Sequence, residues 1–308
     1  MSKAIPTDKR RLVTDALARR AYLHDDVRIA NGDLTGFECL VASRQGLFAA
    51  AHDGRTRRIA WGSFFGIRQH GSELYAFESC DRPAHPTAQG RLVRFDLRDG
   101  RIGEPRVLAR GLDNNCHQIA IIGGLLCVVD TSNQQILRFT LGGQPVDAKP
   151  VPGPVPNGAG DDHYRHVNSI AQVGERIGLL LHNGGAGRDR PSELVWLNAD
   201  WKETARVVLP GRGCHDIASD AHGQIWHCGS MAGEIINDSG QRHKVSPLMT
   251  RGLADGPAGF VVGYSQFGIR SGRDRLMGGV LFLDHQLAVR AEVSLDGAPT
   301  DLILLDGG

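Results

Sequence analysis

The sequence predicts an all-β fold built as a six-bladed β-propeller, with five or seven blades as the alternative counts. Three observations predict it. Glycine occurs 40 times in 308 residues, roughly twice its average share, while stretches of helical period are scarce, as expected of short strands joined by tight turns. Most of the chain reads as successive meanders of three or four strands. One short peptide also recurs: Asn115-Cys116-His117-Gln118-Ile119, then Tyr164-Arg165-His166-Val167-Asn168-Ser169-Ile170, then Gly213-Cys214-His215-Asp216-Ile217, its histidines 49 residues apart both times. A repeat of about this length marks a toroidal or solenoid array.

Residues 7–23 carry the one good helical pattern, with Leu12, Val13, Ala16, Leu17 and Ala21 near 3.6-residue spacing and Arg/Lys opposite. This gives a helical extension over 1–36 ahead of a single propeller domain over 37–308. The helix is expected to fill a groove on the propeller's outside. As a lid or partner element, it is where copies of the chain would join into a homo-oligomer. Strands follow at 37–42, 47–51 and 57–61, split by turns at Arg44-Gln45-Gly46 and Asp53-Gly54. A second unit spans 63–68, 73–78, 91–97 and 105–110. The third has strands at 117–122, 125–130 and 135–140 and passes into a Pro/Gly-rich stretch, 142–160, read as a connection between blades. The fourth takes 167–173, 176–182, 193–198 and 205–209, and the fifth 216–219, 224–228, 233–237 and 244–246. The sixth opens at 251–254 and continues at 260–264, 279–284 and 288–293. A leftover strand at 300–305 would complete the three-stranded first unit and close the ring.

The strand pair Leu125-Leu126-Cys127-Val128-Val129-Asp130-Thr131-Ser132-Asn133-Gln134-Gln135-Ile136 resembles an NHL-type repeat. As architecture, residues 37–306 resemble the six-bladed superfamily of regucalcin/gluconolactonase-like, NHL-repeat and strictosidine-synthase-like proteins. For a lactonase the resemblance implies a divalent ion on a Glu/Asn/Asp oxygen set, which finds no equivalent positions here. For strictosidine-synthase-type chemistry it implies a buried acid/base carboxylate, with Glu78 and Asp255 the nearest candidates.

With 41% hydrophobic and 22% charged residues, the chain is long enough to bury a large core without disulfide or metal support. A net charge of +1 gives no reason to expect nucleic acid or a membrane surface as partner, and no apolar run is long enough to span a bilayer. The six cysteines show no CxxC spacing and the first residues form no apolar signal segment, so the expected location is cytoplasmic and the expected partner a small-molecule substrate.

In a four-stranded blade the second-to-third-strand loops and the blade-to-blade connections share one face. The insertions at 80–90, 183–191 and 265–275 and the stretch 142–160 all fall there, and long loops on a rigid scaffold are where sites are built. His117, His166 and His215 begin innermost strands on that face. Three imidazoles at equivalent positions would bind a divalent transition metal such as Fe, Zn or Cu. A repeated histidine can equally be a structural device that bonds a neighbouring blade. Asn168 and Asp216 stand beside the histidines as substrate-binding candidates, Arg251 and Arg273 as contacts for an anionic group, and Tyr264 as a phenol near the mouth, with Arg251 and Tyr264 the catalytic candidates. His163 and His182 are second-choice ligands. His227 reads as a strand residue between blades, and Cys116 and Cys214 as packing residues, since neighbours on a strand face opposite ways. Two functions follow: a metal-dependent enzyme on a small polar or anionic metabolite, its reaction an oxidation, a lyase or isomerase step or a hydrolysis, or a non-catalytic propeller that binds a protein, peptide or metabolite through its loop face.

Overall fold

The computed structural model describes residues 21–81, 87–153, 164–183, 190–268 and 276–305. Its strands form six four-stranded antiparallel sheets, the blades of a propeller. Blade 1 is Pro299–Leu304, Cys39–Ser43, Gly46–Ala50 and Thr56–Ala60 from the axis outward, so the C-terminal strand supplies the innermost place, as expected. Blades 2 to 6 begin with the inner strands Phe64–His70, Ile119–Ile122, Val167–Val173, His215–Ser219 and Met249–Gly256. Each inner strand packs against the next, and Pro299–Leu304 touches both Met249–Gly256 and Phe64–His70, which closes the ring.

Strand periodicity explains how the blades stack. On Glu73–Ser79, Leu74 and Ala76 pack with blade 1, whereas Tyr75 and Phe77 pack with blade 3. Six apolar layers result, one between each neighbouring pair of blades. Each inner strand contributes one core residue to the layer behind it: Ile67, Ile119, Ile170, Ile217, Leu253 and Leu302. These six define equivalent positions around the axis.

One expectation fails in blade 3. Pro145–Pro150 is its outermost strand rather than part of a connection, paired with Gln135–Thr140 and pinned by the Arg138–Asp147 ion pair. An outermost strand tolerates proline because one row of its N–H groups faces solvent. Of the expected N-terminal helix, Ala21 to Leu23 are described as helical and the rest lies outside the described residues. The Arg91 guanidinium, wholly buried, bonds the Ala21 and Asp26 carbonyls and the Glu78 carboxylate. Glu78 therefore ties the extension to blade 2 instead of standing free as an acid/base. No helix among the described residues is long and apolar enough to cross a membrane.

The residue before each of the six core positions is Gly66, Gln118, Ser169, Asp216, Gly252 or Asp301. Several of these stitch blades together. The Ile67 N–H donates to Asp301 Oδ2 at 3.1 Å and Arg68 donates to the same oxygen at 2.7 Å, a latch from blade 1 to blade 2. Burial pushes the Asp301 carboxyl up, and Arg68 pulls it back down. Replacing Asp301 with Ala strands the Ile67 N–H and the Arg68 charge and is expected to cost about 3 kcal/mol. Urea denaturation checks this against Asp238→Ala on an exposed turn, whose expected effect is below about 0.5 kcal/mol. Equal effects would show that the latch contributes nothing.

Candidate metal centre at the channel rim

Two residues before each core position the chain reaches the rim of the central channel. The rim residues are Phe65, His117, Asn168, His215, Arg251 and Thr300. His117 and His215 are equivalent, as expected. His166 is not: it stands two residues ahead of Asn168, which holds the matching place in blade 4. The equivalent rim places lie 51 residues apart from His117 to Asn168 and 47 apart from Asn168 to His215, so equal spacing in sequence is not equal position in the ring. His166 still reaches the site through a left-handed backbone (φ 52°), a conformation costly for a non-glycine residue and often retained at functional sites.

Four imidazoles meet there. Ring centroids lie 5.1 Å apart for His117 and His166, 4.8 Å for His166 and His182, and 5.4 Å for His182 and His215. His182, a second-choice residue in the sequence, joins because Arg176–Leu181 ends on the same face, with the His182 N–H donating to the His166 carbonyl at 3.0 Å.

The ring orientations have a shared cause. His117 Nδ1 donates to the carbonyl of Asn115 at 2.6 Å, and His215 Nδ1 donates to that of Gly213 at 2.8 Å. A carbonyl can only accept, so in both rings Nδ1 carries a proton. His215 Nδ1 also lies 2.9 Å from Ser230 Oγ. Burial holds the His215 imidazole well below the usual histidine range, and the Arg251 guanidinium and the other three imidazoles push the same way. This ring therefore stays neutral near pH 7, the form a metal ligand requires.

The remaining candidates divide. Arg251 stands beside His215, its Nε donating to the Thr300 carbonyl at 3.1 Å. Asn168 and Asp216 are buried in the inter-blade stitching. Asn168 Nδ2 donates to the Cys214 carbonyl at 3.0 Å, and Asp216 accepts from Gln118 Nε2 at 3.2 Å and from the Gly252 N–H at 2.7 Å. Tyr264 is not at the mouth: it packs between blades 5 and 6, and its phenol is pushed up to about 12 by burial and by a hydrogen bond to Glu292 on the outermost strand of blade 6. The second strand's parity turns it into the layer instead of toward the axis. Arg273 and His163 lie outside the described residues. Cys116 and Cys214 are buried, Cys214 pushed up to about 11 by burial, and the His227 ring is buried in its strand and held down to about 4. Asp255 lines the opposite mouth, a cavity of about 590 Å³ shared with Arg68 and Gln172.

As the side chains lie, no three His, Cys, Asp or Glu residues among the described ones form a ready-made ion-holding group. Imidazoles sharing one tetrahedral ion have ring centroids roughly 5 Å apart. Successive members of the chain His117–His166–His182–His215 stand at that separation, and all four offer imidazole nitrogen, so by donor type the residues fit a transition metal.

The sequence matches no protein family and no curated protein. The fold is similar to a chain of the nidogen/laminin complex, with TM-score 0.58, 14% identity, and coverage of 87% of this chain and 98% of that one. It is also similar to a Bacteroides caccae protein of unknown function, with TM-score 0.56, 12% identity and coverage of 88% and 99%. A third likeness is to the periplasmic gluconolactonase of Pseudomonas aeruginosa, with TM-score 0.53, 14% identity and coverage of 88% and 99%. These likenesses show the six-bladed propeller fold.

Asp216 gives the site a pH signature. Its carboxyl is pushed up to about 6, first by burial and then by the nearby Asp301 carboxylate. A carboxyl that binds its proton more readily when folded contributes most stability below the unfolded value near about 4, and that contribution is lost as pH rises through about 6. Asp216→Asn removes this dependence. The stability of the wild type relative to the variant, from urea denaturation, is expected to fall by roughly 1–3 kcal/mol between about pH 4 and about pH 7.5. A pH-independent difference would contradict the assignment.

Proposed function

We propose that this chain is a metal-dependent enzyme that acts on a small polar or anionic molecule at the rim of the propeller channel. His117, His166 and His215 are the proposed ligands of a divalent transition ion such as Fe, Zn or Cu. The observation that carries the reading is the pinned pair of rings: His117 and His215, from blades 3 and 5, are each fixed through Nδ1 by a carbonyl two residues back and stand at the two ends of the imidazole chain that His166 and His182 complete. Orienting a ligand ring through its other nitrogen is how proteins hold metal-binding histidines. A bound ion supplies Lewis acidity at an otherwise neutral site. The chain's own contribution is to keep His215 deprotonated by burial, to fix the ring directions through the Asn115 and Gly213 carbonyls, and to place the Arg251 charge beside the cluster for the substrate.

A second reading is a propeller that binds a protein, peptide or metabolite through the same face without catalysis. It is favoured by the absence of a ready-made ion-holding group among the described residues.

Elemental analysis of untagged protein separates the two. About one transition-metal ion per chain is expected, with binding weakened by roughly a hundredfold or more in His117→Ala and His215→Ala. Sub-stoichiometric metal, unchanged by either substitution, would sink the enzyme reading.

A further inference from the structure

The rim is chemically divided. Blades 3 to 5 bring imidazoles to it, and in blades 6, 1 and 2 the matching places belong to Arg251, Thr300 and Phe65. Arg251 ends the imidazole arc on one side, on the inner strand next to that of His215 and held by the Thr300 carbonyl. Phe65 ends the arc on the other side, its ring centroid 6.1 Å from that of His117. Over Phe65, 5.5 Å from the ring centroid, lies the guanidinium of Arg44. Arg44 comes from the turn between Cys39–Ser43 and Gly46–Ala50, a second-to-third-strand connection of blade 1, and therefore rises on the same face as the histidines. The rim place of blade 1 belongs to the small Thr300, whose hydroxyl is turned down to the Phe64 carbonyl at 2.7 Å.

We infer that Arg44 and Arg251 form the oxyanion-binding sector of this site, for a small carboxylate or phosphate whose reacting part faces the imidazoles. The inference rests on the rim being the active site and adds the substrate's class. Guanidinium groups suit the purpose because their planar forks match carboxylate and phosphate oxygens, and they shed water more readily than an ammonium does. Stacking on Phe65 fixes the plane of the Arg44 fork before a ligand arrives.

Calorimetric titration of EDTA-stripped protein with benzoate, phenyl phosphate and benzamide tests the sector. At least one anion is expected to bind, and the stronger of the two identifies the oxyanion. Benzamide is expected to bind at least roughly tenfold more weakly, and Arg44→Gln and Arg251→Gln each to weaken the preferred anion by roughly tenfold or more, with Arg44→Lys recovering part of the loss. Unchanged far-ultraviolet circular dichroism identifies the variants as folded. Failure of both anions to bind, benzamide as tight as the anions, or wild-type affinity in both glutamine variants would overturn the inference. The titration uses stripped protein and the metal reading is scored by elemental analysis, so either can fail while the other stands.

Discussion

The constraint on which the rest of this molecule depends is the ring of polar clasps one residue below the channel rim. A propeller's inner strands converge on an axis where apolar packing thins, and their N–H groups there still need acceptors. Asp301 accepts from blade 2, Asp216 accepts from blade 6 and from Gln118, and Gln118 in turn accepts from Ile170 in blade 4 at 2.8 Å. Ser169 Oγ accepts from the Asp216 N–H at 2.9 Å. Each clasp crosses from one blade to another, so the six apolar layers are held in fixed angular order. The cost is two buried carboxylates, and both are pushed toward the neutral form by burial. A buried charge partly neutralised in this way is tolerable only where hydrogen bonds surround it, as they do here.

The clasps also determine what the rim can do. Because Asp216 is anchored below, His215 directly before it is held with its ring against the Gly213 carbonyl. Asp216 and His166 both adopt left-handed backbone, at φ 62° and 52°, conformations that cost about 1–3 kcal/mol each. The rigid ring sustains that strain and brings four imidazoles into contact. On the other half of the rim, Arg251, Thr300 and Phe65 occupy the same geometric places, so one scaffold presents an imidazole arc and a guanidinium sector.

Much of this was legible in the residues. Strand periodicity and turn chemistry placed nearly every strand, the odd strand at the C-terminus predicted the closure, and loop lengths identified the face that carries the histidines. What escaped has particular physical causes. Pro145–Pro150 reads as a loop because proline is weighed against strand, yet an outermost strand has N–H groups to spare. The chain from His117 to the matching place in blade 4 is two residues longer than the equal histidine spacing implies, so Asn168 and not His166 is level with His117. Tyr264 shows that spacing gives a residue's height along a strand but not the side to which it turns. Arg44 sits at the end of a second strand, where only the fold reveals that it reaches the rim, whereas His182, at the end of another, was already a second-choice ligand. Phe65 was detectable in principle, since Phe65-Gly66-Ile67 aligns with His117-Gln118-Ile119, but an aromatic in that place looks like core.

The central claim is that the imidazole arc holds one transition ion. X-ray absorption spectroscopy of the metal-reconstituted protein tests it most directly. The account predicts a first shell of nitrogen or oxygen at roughly 2.0–2.1 Å for zinc, with outer-shell scattering from at least three imidazoles that drops by one ring in His117→Ala. A sulfur shell, or a hydrated ion without imidazole scattering, would contradict it.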